Sequence, residues 1–323
     1  RTVAIVWKKL MEFSELGLNE SLLGAIVEAG YPNPTAVQEK AVPAALAGRD
    51  LMVSSQTGSG KTAAFMWPAL NRLTQDSAVK ARGPRILVLT PTRELAIQVT
   101  DACRKYGRGL RYAKAVSVVG GTSYVMQNKL LAQPYEVLVA TPGRLIDQMD
   151  SGRIDFGRLE MLVLDEADRM LDMGFIEDIE AIVDRLPQSR QTLLFSATFE
   201  PRVCRLAERL TKDAQRIEIQ ATAAQHENIE QRLLFADGMG HKQRLLDHLL
   251  RGEDVEQAIV FTATKRDADQ IAETLGENGF LAAALHGDMH QGERNRTLGH
   301  LRRGALRVLV ATDVAARGID VAG

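Results

Sequence analysis

Cysteine is nearly missing from this chain: Cys103 and Cys204 are the only two, far apart and outside any CxxC spacing. That excludes a disulfide framework, argues against a zinc site, and suits a reducing, cytoplasmic setting. Long apolar runs are missing too. Stretches such as Arg85–Leu89 are strand-length, far short of the ~20 residues a membrane helix needs. The amino terminus has neither a signal-peptide layout nor an initiating Met, so the expectation is a chain that begins inside a longer one. Excess positive charge is absent: 40 Lys+Arg against 41 Asp+Glu leave a net charge of -1. Bulk charge therefore cannot hold nucleic acid, and any such site must be local. Aromatic residues make up only 5%, which speaks against a surface stacking base after base. Contacts to the sugar-phosphate backbone stay open, and these are indifferent to sequence.

What is present is ordinary soluble composition, 45% hydrophobic and 25% charged. With 323 residues the chain exceeds one typical core and suits two α/β domains. Short apolar runs alternate with longer helical stretches. Strands are expected at Asp50–Ser54, Ile86–Thr90, Ala115–Val119, Glu136–Ala140, Met161–Leu164 and Thr192–Ser196. Their Val, Leu and Ile content without strict polar alternation fits strands buried on both faces of a parallel sheet. Amphipathic stretches such as Arg93–Tyr106 and Ile176–Leu186 lie between them, giving a doubly wound α/β domain over residues 40–219. Residues 220–228 are small and polar and read as a linker. A second α/β domain, 229–323, repeats the style, with strands expected near Gln231–Phe235, Ala258–Phe261, Leu281–Leu285 and Arg307–Ala311.

The stretch Ser55-Gln56-Thr57-Gly58-Ser59-Gly60-Lys61-Thr62 follows an expected strand and opens a helix, the setting a phosphate-binding loop requires. Gly58 and Gly60 let backbone N–H groups turn toward phosphate oxygens at the positive end of a helix. Lys61 reaches the β/γ-phosphates and the Thr62 hydroxyl is placed for Mg²⁺. The strict pattern wants Gly where Ser55 stands, so the consensus is met in its second half. Asp165-Glu-Ala-Asp168 follows directly on an apolar run. Asp165 is the candidate second Mg²⁺ contact and Glu166 the candidate general base for an attacking water. Taken alone, those carboxylates equally suit the first turn of a helix. Gln38 is balanced between two readings: it has capping-box spacing from Thr35, and its amide matches the N6/N7 edge of adenine.

From Phe13 to Asp320 the chain resembles the DEAD-box ATP-dependent RNA helicases, and Asp165–Ile176 (DEADRMLDMGFI) looks bacterial, of an RhlE-like kind. The resemblance implies two tandem RecA-like domains, ATP and Mg²⁺ as ligands, and RNA as partner. It makes Gly30–Gln38 similar to the family's Q motif within an amino-terminal segment, 1–39. Gln38 is then expected to read adenine, Phe13 to pack on the base, and Tyr31 to lie at the nucleotide. Pro91-Thr92-Arg93, Gly120-Gly121 and Thr141-Pro142-Gly143-Arg144 look like RNA-contacting motifs. They offer arginines, small hydroxyls and open N–H groups suited to phosphates, although Thr141-Pro142 is also a natural helix cap. Ser196 and Thr198, by resemblance, couple nucleotide state to RNA through hydroxyl contacts with the DEAD carboxylates, Asp168 included. In the second domain Thr262, Gln291, Arg294 and Thr312 are similar to RNA-holding positions, and Gly318 and Asp320 to nucleotide-facing ones. His286 has no catalytic role in this reading.

One family motif, His-Arg-x-Gly-Arg-x-Gly-Arg, has no counterpart before Gly323. Since its arginine finger is worth on the order of 10³–10⁵ in rate, these 323 residues alone are expected to bind ATP but hydrolyse it poorly, with the second sheet incomplete. The expected activity is ATP-driven closure of two domains on single-stranded RNA, separating short duplexes or remodelling ribonucleoproteins. An ATP-gated RNA clamp and a DNA translocase are the rivals. Ribosome assembly and RNA decay are both open as settings, and a monomer is the default.

Overall fold

A computed structural model describes residues 11–56, 58–79, 81–219, 230–252 and 255–316. The chain divides into two compact units, Arg1–Gln225 and His226–Gly323. The expected linker, 220–228, lies outside the described residues, as do Thr57, Gly318 and Asp320.

The first unit opens with a 3₁₀ turn at Phe13–Leu16 and two helices, α1 (Glu20–Glu28) and α2 (Ala36–Leu46). The alternation then begins: β1 (Leu51–Ser54), α3 (Lys61–Arg72), β2 (Ile86–Leu89), α4 (Arg93–Tyr106), β3 (Ala115–Val118), α5 (Tyr124–Leu131), β4 (Val137–Ala140) and α6 (Pro142–Asp150). It continues through β5 (Met161–Leu164), α7 (Ala167–Asp172), α8 (Ile176–Val183), β6 (Gln191–Ser196), α9 (Pro201–Leu210) and β7 (Gln215–Glu218). All seven strands pair in parallel, in the order β3-β4-β2-β5-β6-β1-β7. The central strands β2, β4, β5 and β6 are buried at every residue, because helices cover both faces of the sheet. Two apolar clusters result. One gathers Leu22, Val42, Phe65, Trp67 and Val99; the other gathers Leu145, Met170, Ile179, Ile182 and Leu206.

All six strands expected here are found, with ends shifted by a residue at most. One was not foreseen: β7 (QRIE) buries only Ile217, an edge strand whose polar side chains read as loop. Glu160 and Arg85 clasp the far end of the sheet, just before β5 and β2. Arg85 Nε donates to Glu160 Oε1 at 2.7 Å and Arg85 Nη2 to Oε2 at 3.0 Å, with Ser77 Oγ donating to Oε1 at 2.9 Å.

The second unit holds α10 (Met239–Leu250), β8 (Ala258–Thr262), α11 (Lys265–Glu277), β9 (Ala282–Leu285), α12 (Gln291–Arg302), β10 (Val308–Thr312) and α13 (Asp313–Ala316). Its three described strands form a parallel sheet, β8-β10-β9. The strand expected at Gln231–Phe235 is absent: those residues are irregular, with Leu233 and Phe235 about four-fifths exposed. Apolar content gives a segment strand propensity, but a strand exists only where a ladder partner accepts its hydrogen bonds.

Candidate functional site

A parallel sheet brings all its strand ends to one edge, and in the first unit every candidate motif except the Gly30–Gln38 segment, which precedes β1, follows such an end. Along that edge come Gly120-Gly121 after β3, Thr141–Arg144 after β4, Pro91–Arg93 after β2, Asp165–Asp168 after β5, Ser196–Thr198 at β6, and the 55–62 loop after β1. At about 4.8 Å between neighbouring strands, six strands spread these turns over roughly 24 Å. The three expected RNA turns are contiguous, and the expected coupling turn at β6 lies between the two expected nucleotide turns, after β5 and β1.

The 55–62 loop closes on itself. Ser55 is buried, and its N–H donates to the Ser196 carbonyl (3.2 Å). Ser59 Oγ donates to the Gln56 carbonyl (2.7 Å) and lies 2.9 Å from Ser55 Oγ. Lys61, only 7% exposed, folds back to donate to the Ser55 carbonyl at 2.7 Å. Gly60 caps α3 at φ 91°, and a Cβ there would sit 2.5 Å from Gln38 Nε2. Only glycine satisfies both the backbone angle and that approach.

Gln38, also buried, is the reason for the approach. Its Oε1 accepts from the Thr35 N–H at the start of α2 (2.9 Å), and its Nε2 donates to the Gly60 carbonyl (3.2 Å). The capping role is therefore realised, and the same amide ties the cap to the phosphate loop. Phe13 is 8% exposed in the core, its ring edge-on to Trp67 at 5.7 Å. Tyr31 is tied to the last turn of α4: its hydroxyl is 3.0 Å from that of Tyr106 and accepts from Lys105 Nζ at 3.2 Å.

Asp165 is 2% exposed, and its Oδ1 has no hydrogen-bond partner. Burial first, then the Glu166 charge, pushes its carboxyl up to about 7 despite the opposing Lys61 charge. An unpartnered, buried oxygen beside like charge is the setting a hard cation relieves, so these residues fit Mg²⁺. Among the described residues no cluster of three or more His, Cys, Asp or Glu could hold a metal by itself; an ion here needs further oxygens, such as the Thr62 hydroxyl and phosphate. Glu166 stands at φ 55°, a left-handed conformation costing of order 1–3 kcal/mol in a non-glycine residue. Arg169 Nε lies 3.4 Å from its Oε2.

The expected hydroxyl link between Ser196-Ala-Thr198 and the DEAD carboxylates takes another form. The backbone N–H of Ala197 donates to Asp168 Oδ2 (3.3 Å), while Ser196 Oγ, fully buried, accepts from the Thr198 N–H (3.4 Å). Burial of Ser196 turns its hydroxyl inward to its own turn.

At the end of the edge where RNA contacts are expected, two arginines converge on one turn. Arg93 Nη1 donates to the Gly120 carbonyl (3.3 Å) and Arg144 Nη1 to the Thr122 carbonyl (2.9 Å). Gly121 holds φ 70° between them. Thr92 caps α4 by accepting from the Leu95 N–H (3.3 Å); Pro91 is buried, and Thr141 and Pro142 begin α6. Arg144 is 13% exposed and also faces Asp147 at 3.7 Å, so it holds the turn more than it meets solvent. Gln127 escaped the sequence reading: 1% exposed on α5, it donates to the Val119 and Thr122 carbonyls at 2.8 and 3.3 Å. A mid-helix glutamine has no spacing signal that would single it out.

In the second unit Thr262 and Thr312 end β8 and β10 as registered neighbours. Thr262 Oγ1 donates to the Thr264 carbonyl (3.1 Å). Arg294 Nη1 reaches the His286 carbonyl at 3.4 Å and its Nη2 the Ala315 carbonyl at 3.5 Å; Gln291 Nε2 donates to Asn295 Oδ1 at 3.0 Å. His286 is buried, with Nε2 2.8 Å from Asp269 Oδ1. Among the described residues no helix is long and apolar enough to cross a membrane.

Residues 35–206 match the family described as DEAD/DEAH box helicase, and 241–323 match the helicase conserved C-terminal domain. A Klebsiella pneumoniae protein named ATP-dependent RNA helicase DeaD is 44% identical over 309 residues, 96% of this chain and 47% of that protein. The Mycobacterium tuberculosis protein of the same name is 43% identical, with 54% of its length covered. The chain thus spans about half the length of the curated relatives it matches. Among solved structures, Saccharomyces cerevisiae Dbp5 bound to RNA and ADP BeF3 superposes with a TM-score of 0.85 at 32% identity, covering 96% of this chain and 78% of that one. A DEAD box protein from Methanococcus jannaschii gives 0.60 at 35% identity, with 96% and 82% covered.

Proposed function

This chain belongs to the DEAD/DEAH box helicase family, and on that premise we propose that it is the core of an ATP-dependent RNA helicase acting on single-stranded RNA by ATP-driven closure of its two RecA-like units. The observation that carries the reading is the order of turns along one sheet edge: nucleotide chemistry on β5 and β1 with the coupling turn on β6 between them, and backbone-facing groups on β3-β4-β2.

In this reading Lys61 exchanges the Ser55 carbonyl for a phosphate oxygen, and the loop from Ser55 to Thr62 opens its N–H groups to the same anion. Thr62 and Asp165 hold Mg²⁺, which when bound supplies positive charge to the phosphate oxygens. Glu166, fixed at the strained head of α7, takes a proton from the attacking water. Gln38 reads adenine: an amide has two N–H groups and an oxygen with two lone pairs, so capping and tethering leave one of each. Phe13 and Tyr31, with Gly318 and Asp320 from the second unit, complete the nucleotide set. Gly120, Gly121, Thr92, Arg93, Thr141 and Arg144 build the RNA track of the first unit, and Thr262, Gln291, Arg294 and Thr312 that of the second. Asp168 and the Ser196–Thr198 turn couple the two ligands through the Ala197 amide. Backbone and 2′-OH contacts make the choice RNA-selective and sequence-blind. A cytoplasmic monomer working in ribosome assembly or RNA decay fits this chemistry; an RhlE-like subgroup rests on the DEADRMLDMGFI stretch alone.

Steady-state ATP hydrolysis by the complete gene product, without nucleic acid, with single-stranded RNA and with DNA of the same sequence, tests the proposal. Stimulation by RNA alone supports it. Equal stimulation by DNA points to a general translocase, and no stimulation by either overturns the helicase reading.

A further inference from the structure

We propose that Tyr124 is a stacking platform for a single nucleobase, placed beside the backbone-binding turn so that one position of the bound RNA is held through its base. The inference rests on the RNA-binding reading above and adds to it a contact of a different kind.

Tyr124 is the first residue of α5, immediately after the 119–122 turn that Arg93, Arg144 and Gln127 fix. It is 48% exposed in a protein with few aromatic residues. Its ring is not a loose surface side chain. The hydroxyl donates to Asp147 Oδ2 at 2.7 Å, and the Arg144 guanidinium carbon lies 4.0 Å from the ring centroid. With a cation over one face and the hydroxyl anchored, the exposed surface is the opposite face and edge, held in one orientation. Stacking on such a ring requires little further ordering, which is what makes preorganised aromatics good contacts. The Asp147 bond also holds the phenol above its ordinary range, so the ring stays neutral next to phosphates. Arg144 in turn faces the Asp147 carboxylate at 3.7 Å and offsets its charge.

The neighbouring exposed side chains agree with a base rather than a phosphate as occupant. Val125 and Met126, the next two residues of α5, are 65% and 59% exposed, so the start of this helix presents apolar side chains and no cation that would attract a phosphate. The ring offers no donor or acceptor on its open face, so it distinguishes bases only by stacking area. Purines are favoured over pyrimidines at that position, and a missing base is worst.

The test uses the whole chain with ADP and beryllium fluoride and single-stranded RNA of about ten nucleotides, carrying 2-aminopurine or an abasic site at each position in turn. Fluorescence quenching is expected at one position, and an abasic site there weakens binding about tenfold. Tyr124→Leu should abolish that quenching and weaken binding to the same degree, with no further loss on the abasic RNA. Tyr124→Phe should keep the quenching. A flat abasic scan with RNA still bound overturns the platform and leaves the RNA-binding reading standing. Weakened binding in Tyr124→Leu with a flat scan also overturns it, because the ring then acts only through the turn. Failure of the unmodified chain to bind any RNA sinks the RNA-binding reading itself.

Discussion

Gln38→Ala is expected to lower the melting temperature of the amino-terminal unit by roughly 4–8 °C, about 2 kcal/mol in a domain of this size. Two bonds supply the figure. Loss of the acceptor for the Thr35 N–H removes a helix cap, worth about 1 kcal/mol. Loss of the donor to the Gly60 carbonyl removes a further hydrogen bond of about 1 kcal/mol. Gln38→Glu keeps the capping acceptor but sets a buried carboxylate oxygen against the Gly60 carbonyl, so its drop should equal or exceed that of Gln38→Ala. Adenine recognition needs donor and acceptor together, so both variants should lose preference for ATP over GTP. Thermal shift measures the first effect, and displacement of a fluorescent ADP by ATP and by GTP measures the second. If Gln38→Ala melts with wild type, the two-bond argument is wrong. Wild-type discrimination in either variant would show that Gln38 only builds the loop.

Asp165→Asn should raise the melting temperature of the ligand-free protein by a few degrees, since it removes a buried charge with an unpartnered oxygen. The same variant should lose the thermal shift given by Mg²⁺·nucleotide; retention of that shift places the ion elsewhere. Glu166→Gln should slow single-turnover hydrolysis by about 10²–10⁴ while nucleotide-dependent RNA binding persists, and an unchanged rate removes Glu166 as base. Burial works to raise the Glu160 carboxyl, but Arg85, Ser77 and Arg72 outweigh it and hold it below the ordinary glutamate value of 4.5. A depressed carboxyl stabilises the fold above its unfolded pKa, and that stability fades as pH falls through the folded value. Glu160→Gln should therefore melt earlier than wild type at neutral pH, with the two curves converging below about pH 4.5; a constant gap down to acid pH refutes the linkage.

The fold was legible where burial leaves a compositional trace. Runs such as Ile86–Leu89 and Val137–Ala140 are apolar because helices cover both faces, and the sequence placed them to within a residue. It failed at both kinds of edge. Gln215–Glu218 pairs with β1 through its backbone while three of its four side chains are only partly buried or exposed, so composition carried no signal. Leu233–Phe235 carried the signal without the ladder. The site divides along the same line. Residue types and their order along the chain pointed to a phosphate loop and a carboxylate cluster, because those chemistries demand specific atoms. What each side chain holds in place was hidden, since it depends on neighbours distant in sequence: Gln38 on Gly60, Asp168 on Ala197, Arg144 on Thr122. Arg144 shows the consequence. The sequence pointed to Arg144 as an RNA contact; in the fold its bond to the Thr122 carbonyl and its place over the Tyr124 ring leave it 13% exposed. What Arg144 presents to solvent therefore depends on how Tyr124 packs against it, a contact between residues distant in sequence that only the folded chain reveals.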